Sequence, residues 1–161
     1  MMDNTLEEFV GSQSLISRRE LLRFLKDKQV RVNGIIVHSL NHTLSFKKDK
    51  VMINGELISY KYPYLYYKFY KPKGMLSTMT DPKGRSCIGD LIKKRIRKPL
   101  FPVGRLDKLT TGLMILTNDG NFAHKILHPS FKLKKTYLVQ LDKLFSKNDM
   151  TRLGLGIILS D

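Results

Sequence analysis

Residues 30–37 read Val-Arg-Val-Asn-Gly-Ile-Ile-Val, a pattern typical of a β-hairpin. Two short apolar runs flank Asn33-Gly34, a dipeptide that accepts the positive φ angles of a tight two-residue turn. A second Asn-Gly pair follows at residues 54–55, between Val51–Ile53 and Leu57–Ile58. The first part of the chain is therefore expected to contain short strands joined by tight turns.

Two helices are predicted before this hairpin. Leu6 to Val10 are expected to form the first. Ser17 and Glu20 have the spacing of a capping box, which predicts the start of the second. Leu21, Leu22 and Leu25 then fall on one face, with basic side chains on the other.

The composition changes near Tyr60–Pro63, where a tyrosine-rich run begins. Alternation predicts a strand from about Tyr64 to Tyr70, whose aromatics either pack on a sheet or form a platform for bases. Further elements are expected in this order: a helix at 88–96, a loop to Pro102, a buried strand at 113–116, a turn at 118–120, a helix to His128 and a strand at 136–141. The fold class is predicted to be α+β, with domains at 1–62 and 63–161.

Charge is the strongest compositional signal. Twenty-nine Lys and Arg against fourteen Asp and Glu give a net charge of +15, of which residues 63–161 carry +12. This balance favours a polyanionic partner, nucleic acid before an anionic membrane, although a Lys-rich surface without a partner remains an alternative. The apolar stretches are too short to span a bilayer, no signal peptide is expected, and the single Cys87 fits a reducing cytoplasm.

Several ordered segments resemble one family. Residues 17–34, with Ser-Arg-Arg-Glu-Leu-Leu and Val-Arg-Val-Asn-Gly, resemble a small RNA-binding module first known from a ribosomal small-subunit protein. The rest of the chain resembles bacterial ribosomal RNA pseudouridine synthases. The first matching segments are Lys71-Pro72-Lys73-Gly74, Ser77-Thr78 and 81–85. The later ones are Gly104-Arg105-Leu106-Asp107 within 101–120 and the stretches at 124–129 and 134–139. Tyr70 stands where the family has Asn. The match is closest to the branch that acts on small-subunit ribosomal RNA.

The resemblance implies a mixed, mainly antiparallel catalytic sheet and an isomerase that converts uridine to pseudouridine. It makes Asp107 the catalytic carboxylate, Tyr137 the tyrosine that stacks on the detached base, and Arg105 an RNA contact beside the extruded nucleotide. Read alone, Asp107 could instead cap a turn through Thr110, Tyr137 could belong to the core, and Arg105 could form a salt bridge. The reaction transfers no electrons, so no cofactor or metal is expected.

RNA binding is expected to extend over a larger set of polar and basic side chains. These are Ser17, Arg18, Arg19, Lys26, Lys28, Arg31 and Asn33 of the module, with Arg105, Lys71 and Lys73 of the second domain. A solvated helix face is the alternative for the module's cations. His124 and His128 lack a third metal ligand, Gly154-Leu155-Gly156 lacks the pattern of a dinucleotide motif, and Cys87 is read as a packing residue.

Family members are expected to continue past residue 161 with a basic motif that partners the catalytic Asp, so the chain is expected to be a C-terminally truncated front part. A catalytically dead, RNA-binding protein is the alternative function, and large-subunit ribosomal RNA or tRNA the alternative substrate. The expected partner is ribosomal RNA or a pre-ribosomal particle, bound in the cytoplasm by a monomer during ribosome biogenesis.

Overall fold

The computed structural model describes residues 5–158. Its first part, here called the front unit, contains two helices and a four-stranded antiparallel sheet with the strand order β2-β1-β3-β4. The elements are α1 (Leu6–Gln13), α2 (Arg18–Lys26), β1 (Val30–Val32), β2 (Ile35–Ile36), β3 (Val51–Ile53) and β4 (Glu56–Ile58). The two predicted helices and both strand pairs are confirmed.

Local chemistry explains where these elements begin and turn. The Ser17 hydroxyl accepts from the backbone N–H of Glu20, and the Glu20 carboxylate accepts from the N–H of Ser17, so the predicted capping box is present. Asn33 and Gly34 have φ angles of 51° and 85°, which confirms the tight turn between β1 and β2.

The front unit has its own apolar core. Eleven buried side chains come from both helices, β1, β3 and the connecting loops: Leu6, Phe9, Val10, Leu21, Leu25, Val30, Val32, Val37, Leu44, Val51 and Ile53. The prediction that Leu22 shares the inner face of α2 is wrong, because its side chain is 46% exposed.

The second part, here called the second unit, is built on a three-stranded antiparallel sheet with the order β5-β7-β6. Its strands are β5 (Tyr66–Lys71), β6 (Phe101–Val103) and β7 (Gly112–Thr117), and its helices are α3 (Ile88–Leu91), a π-helical turn (Ile92–Ile96), α4 (Gly120–Leu127), a 3-10 turn (Pro129–Phe131) and α5 (Lys147–Gly154). The chain is thus α+β. β6 begins where a loop was expected.

The second sheet is covered on one face only. Ile88, Ile92 and Leu100 pack with Met114 and Leu116 of β7 to form a second buried core. Side chains alternate between the two faces of each strand. On the uncovered face, Tyr66, Tyr70 and Leu113 are 53%, 70% and 70% exposed. The predicted buried strand at 113–116 is therefore buried on one side, and the tyrosine run is divided between packing and exposure.

The prediction of a strand at 136–141 is wrong. Within residues 5–158 the segment 132–145 contains no strand, and no described strand pairs with it. Leu138 is 102% exposed and Val139 68% exposed, so the alternating pattern has no sheet to join. Apolar side chains of 153–158 are also exposed, while residues 159–161 lie outside the described part of the chain.

Buried polar side chains join the two units. Asn118 donates from Nδ2 to the carbonyls of Ser12 (2.9 Å) and Pro63 (3.1 Å), and its Oδ1 accepts from the N–H of Leu65 at 2.6 Å. Gln13 bonds to the backbone of 61–62 in the same way. The connection between the units is therefore held by side-chain amides that satisfy backbone groups.

Candidate functional site

Asp107 lies in the loop that connects β6 to β7, and its side chain is exposed to solvent. The loop begins at Gly104, whose φ of 90° favours glycine over any residue with a Cβ. It closes with a bond from the N–H of Thr110 to the carbonyl of Asp107 at 3.1 Å. The turn bond uses only the backbone of Asp107, so its carboxylate is left facing solvent.

Ser77 fixes the residue immediately before Asp107. Its hydroxyl donates to the carbonyl of Leu106 at 2.6 Å and accepts from the N–H of Leu106 at 3.0 Å. One side chain therefore satisfies both backbone groups of Leu106 and restrains the chain at the point where Asp107 leaves it. The quoted Ser-Thr motif contained this residue, but nothing in the sequence alone assigned it this contact.

Lys71 fixes the other side of the loop. Its ammonium donates to the carbonyls of Thr110 (2.8 Å), Pro72 (3.1 Å) and Lys108 (3.4 Å), and the N–H of Gly74 donates to Lys108 at 2.8 Å. The side chain is 0% exposed. The prediction that Lys71 binds RNA is wrong for this reason: its charge is buried beneath the loop and acts as a structural clamp.

Arg105 and Lys73 are both exposed on or beside this loop. The ion pairs within residues 5–158 are Arg18 with Glu7 and Arg85 with Asp81, so the salt bridge considered for Arg105 is not found there. Both cations therefore face solvent, and their role as RNA contacts stays a prediction.

Tyr137 is not brought to the Asp107 loop. It lies in the irregular segment 132–145 with 59% of its side chain exposed, and no hydrogen bond or ring contact within residues 5–158 joins it to residues 104–110. The expected stacking role of Tyr137 has no geometric support in this structure and stays a prediction.

The candidate RNA-binding residues of the front unit divide into two groups. Arg18, which pairs with Glu7, and Arg19, Lys26, Lys28 and Arg31 are exposed cations. Ser17 caps α2, while Asn33 accepts from the N–H of Lys50 and donates to Asp49, each at 3.0 Å. The fold itself uses the polar atoms of these two side chains.

Asp81 and Arg85 form an ion pair for which the sequence predicted no role. Asp81 accepts from the backbone and guanidinium of Arg85 at 2.8–3.1 Å. These bonds lower the pKa of Asp81 to about 2. They close the loop 81–85 that leads into α3. No cluster of three or more His, Cys, Asp or Glu that could hold a metal occurs among the described residues.

No helix within residues 5–158 is long and apolar enough to cross a membrane.

The sequence and the fold are both similar to those of known RNA pseudouridine synthases. A family model described as RNA pseudouridylate synthase matches residues 65–157. An uncharacterised RNA pseudouridine synthase of Mycobacterium leprae is 37% identical over 158 residues, which cover 97% of this chain and 62% of that protein. The ribosomal large subunit pseudouridine synthase B of Bacillus subtilis is 35% identical over 156 residues, 97% of this chain and 63% of that protein.

A solved structure, a crystal structure of a pseudouridylate synthase, is 29% identical and superposes with a TM-score of 0.57 over 98% of this chain and 66% of the other. The chain thus spans slightly under two thirds of the length of these relatives.

Proposed function

The chain belongs to the RNA pseudouridylate synthase family, and we propose that it converts a uridine of ribosomal RNA to pseudouridine with Asp107 as the catalytic carboxylate. The observation that carries the proposal is the loop 104–110. It presents an exposed carboxylate on a backbone that Ser77 and Lys71 restrain from both sides. A catalytic group must be held in one geometry to be effective, and the restrained backbone on either side of Asp107 supports such a role.

The chemistry follows from the substrate. The bond between C1′ of the ribose and N1 of the base must break, and the base must turn. A bond from C1′ to C5 must then form, with loss of the C5 proton and gain of a proton at N1. The Asp107 carboxylate is available either as a nucleophile at C1′ or as a base, because no fold contact occupies its oxygens within residues 5–158. Tyr137 would then need to approach this loop in the complex with RNA.

RNA is proposed to lie across both units. Arg105 is two residues from Asp107, and alternate residues of an extended loop share a side, so the two side chains would face the same nucleotide. The exposed cations of the front unit, Arg18, Arg19, Lys26, Lys28 and Arg31, would hold phosphates farther away. We assign residues 1–62 to RNA binding and 63–161 to catalysis, in a monomer acting in the cytoplasm.

Two ribosomal substrates have support. The module and motif pattern favours small-subunit ribosomal RNA. The similarity to the Bacillus subtilis enzyme, whose name gives the large subunit as substrate, favours large-subunit ribosomal RNA. Transcripts of each RNA, incubated separately with the protein, distinguish the two by the position at which pseudouridine forms.

A second candidate function is RNA binding without catalysis. The exposure of Tyr137, which has no hydrogen bond or ring contact to residues 104–110 among the described residues, favours it, because the proposed site then lacks its stacking residue. Under this alternative the cations of both units bind RNA, and Asp107 has no catalytic role.

The test measures tritium release from RNA labelled at C5 of uridine, using the 161-residue chain and the same chain extended with the closing third of the Bacillus subtilis relative. Asp107→Asn should lower turnover of the active form at least about a hundredfold, because the amide keeps the shape and loses the nucleophile. RNA affinity should remain nearly unchanged. Asp142→Asn, at another exposed aspartate, is the control. RNA binding without turnover in either form would favour the second candidate.

A further inference from the structure

Most of the positive charge of the second unit, apart from Lys73 and Arg105, has no surface assigned to it so far. Residues 63–161 contain nineteen Lys and Arg and seven Asp and Glu. Lys71 cannot serve a partner because it is buried. Five of the remaining cations fall within six positions, in the run Lys93-Lys94-Arg95-Ile96-Arg97-Lys98. This is the densest basic stretch in the chain.

The π-helical turn aims these cations outward. Ile92 is fully buried in the second core and Ile96 packs against the same core, so the two isoleucines anchor the inner side. Lys93, Lys94 and Arg95 are exposed between them, and Arg97 is exposed directly after. We call these four cations the 93–97 patch.

The backbone of this turn is strained at its end. The N–H of Arg97 donates to the carbonyl of Ile92 at 2.7 Å, a bond across five residues that widens the turn. Arg97 itself has a φ of 55°, in the left-handed region that residues with a side chain adopt at a cost in free energy. Wide turns and strained residues of this kind often occur where a protein binds something.

Nothing within residues 5–158 neutralises the patch by an ion pair, since the pairs there involve Arg18 with Glu7 and Arg85 with Asp81. Lys98, the fifth cation of the run, donates to the hydroxyl of Tyr67 at 2.8 Å and is partly buried. Asp90 accepts from the N–H of Cys87 at the start of α3. Four neighbouring like charges repel one another in the free protein, and a polyanion would remove that cost.

One residue of the patch, Lys93, lines a cavity that the start of α2 also lines. The cavity has a volume of about 580 Å³ and lies between the units, with Lys93 on the wall of the second unit. The other wall carries Arg18 together with the carboxylates of Glu7, Glu8 and Glu20. Phe101 also lines this cavity and begins β6, which ends at Val103 just before the Asp107 loop. Three residues of strand rise about 10 Å, so the loop that carries Asp107 begins about 10 Å beyond the cavity wall at Phe101.

We propose that the 93–97 patch is an RNA-binding surface that holds the phosphate backbone between the front unit and the Asp107 loop. The inference rests on the proposed function for the nature of the ligand. The geometry favours RNA over an anionic membrane, because the apolar side chains of the turn face the core and leave nothing to insert into lipid. The patch contributes affinity and register, since phosphate contacts carry no base identity.

The experiment measures the affinity of the full chain for a fluorescein-labelled RNA hairpin at several salt concentrations. Lys93→Gln, Lys94→Gln and Arg95→Gln are combined in one variant. Each lost phosphate contact lowers the slope of log K against log salt by about 0.7–0.9, so the slope should fall by about 2 and the affinity by at least about tenfold.

The matched control is Lys143→Gln, Lys147→Gln and Arg152→Gln, which removes the same charges from exposed positions in and near α5. This variant should keep a slope close to that of the parent. Equal losses in the two variants would overturn the proposal, because they would show that RNA responds to net charge alone. The outcome is independent of pseudouridine formation, so a failure of the proposed reaction would not be mistaken for a failure of the patch.

A second measurement covers the case in which the patch variant does not fold. Lysine acetylation of the unmodified chain, read by mass spectrometry, should slow at Lys93 and Lys94 when the hairpin is added and stay unchanged at Lys143 and Lys147. Equal protection at all four lysines, or none at Lys93 and Lys94, contradicts the proposal. Protection of Lys93 and Lys94 by phosphatidylserine vesicles without protection by RNA would assign the patch to a membrane and overturn it as well.

Discussion

The front unit and the second unit contain apolar side chains in quantity, but they bury them differently. Eleven buried hydrophobic residues form the core of the front unit, and five form that of the second. The second unit leaves one sheet face and most apolar side chains of 133–158 exposed, including Leu138, Leu144 and Ile158. Apolar composition alone therefore does not make a core. A core also needs elements that close over one another, as the two helices and four strands of the front unit do.

The largest expected effect of this difference is on amide exchange. The backbone amides of β1 and β3 are expected to exchange only when the whole front unit unfolds. The segment 133–145, by contrast, has no strand partner in the structure. We expect exchange in β1 and β3 to be at least about a thousandfold slower than in 133–145, measured by NMR or mass spectrometry. β7 should fall between them. Slow amide exchange at 136–141 would contradict this contrast between the units and would support the strand predicted there.

A pair of leucines tests the same contrast in free energy. Leu21 is 1% exposed in the front core and Leu144 is 102% exposed. Leu21→Ala should lower the free energy of unfolding of the front unit by about 3 kcal/mol, through lost burial and a cavity. Leu144→Ala should change it by less than about 0.5 kcal/mol. Urea denaturation measures both. Similar losses would show that 133–158 packs in solution.

The third prediction concerns how firmly the units are joined. Asn118→Ala leaves the N–H of Leu65 and the carbonyls of Ser12 and Pro63 without this partner. We expect a loss of about 2 kcal/mol and separate melting of the two units by calorimetry. Asn41→Ala, at an exposed loop position, is the control. A single unchanged transition would show that the amide network is not what couples the units.

The smallest effect is a dependence of stability on high pH at a hydrogen bond beside the same junction. The Tyr66 hydroxyl donates to Asp119 at 2.6 Å. This bond first, then burial, raises the pKa of Tyr66 to about 12 from 10.0. The stability it contributes is fully present below pH 10 and is lost as the pH rises from 10 to 12. Tyr66→Phe should make the free energy of unfolding less dependent on pH between pH 10 and 12, and Tyr70→Phe should not. If the dependence of stability on pH were unchanged in Tyr66→Phe, the Tyr66–Asp119 bond would not contribute to stability.

Local chemistry was readable from the sequence. Ser17 and Glu20 specify the start of α2 because a hydroxyl and a carboxylate three residues apart satisfy free backbone groups without help from the rest of the fold. Asn33-Gly34 and Asn54-Gly55 specify turns because these residues tolerate positive φ. The two helices of the front unit followed from patterns of the same short range.

Only the tertiary structure decided which side chains meet across the chain. Lys71 and Lys73 are two residues apart in one motif, yet Lys71 is buried beneath carbonyls of 108–110 and Lys73 is exposed. Ser77 holds Leu106, twenty-nine positions away, and Asn118 holds Ser12 across the junction. The alternation at 136–141 predicted a strand, but a strand exists only where a partner supplies its hydrogen bonds. Sequence patterns report the preferences of a segment, whereas burial and pairing depend on distant residues that the pattern does not contain.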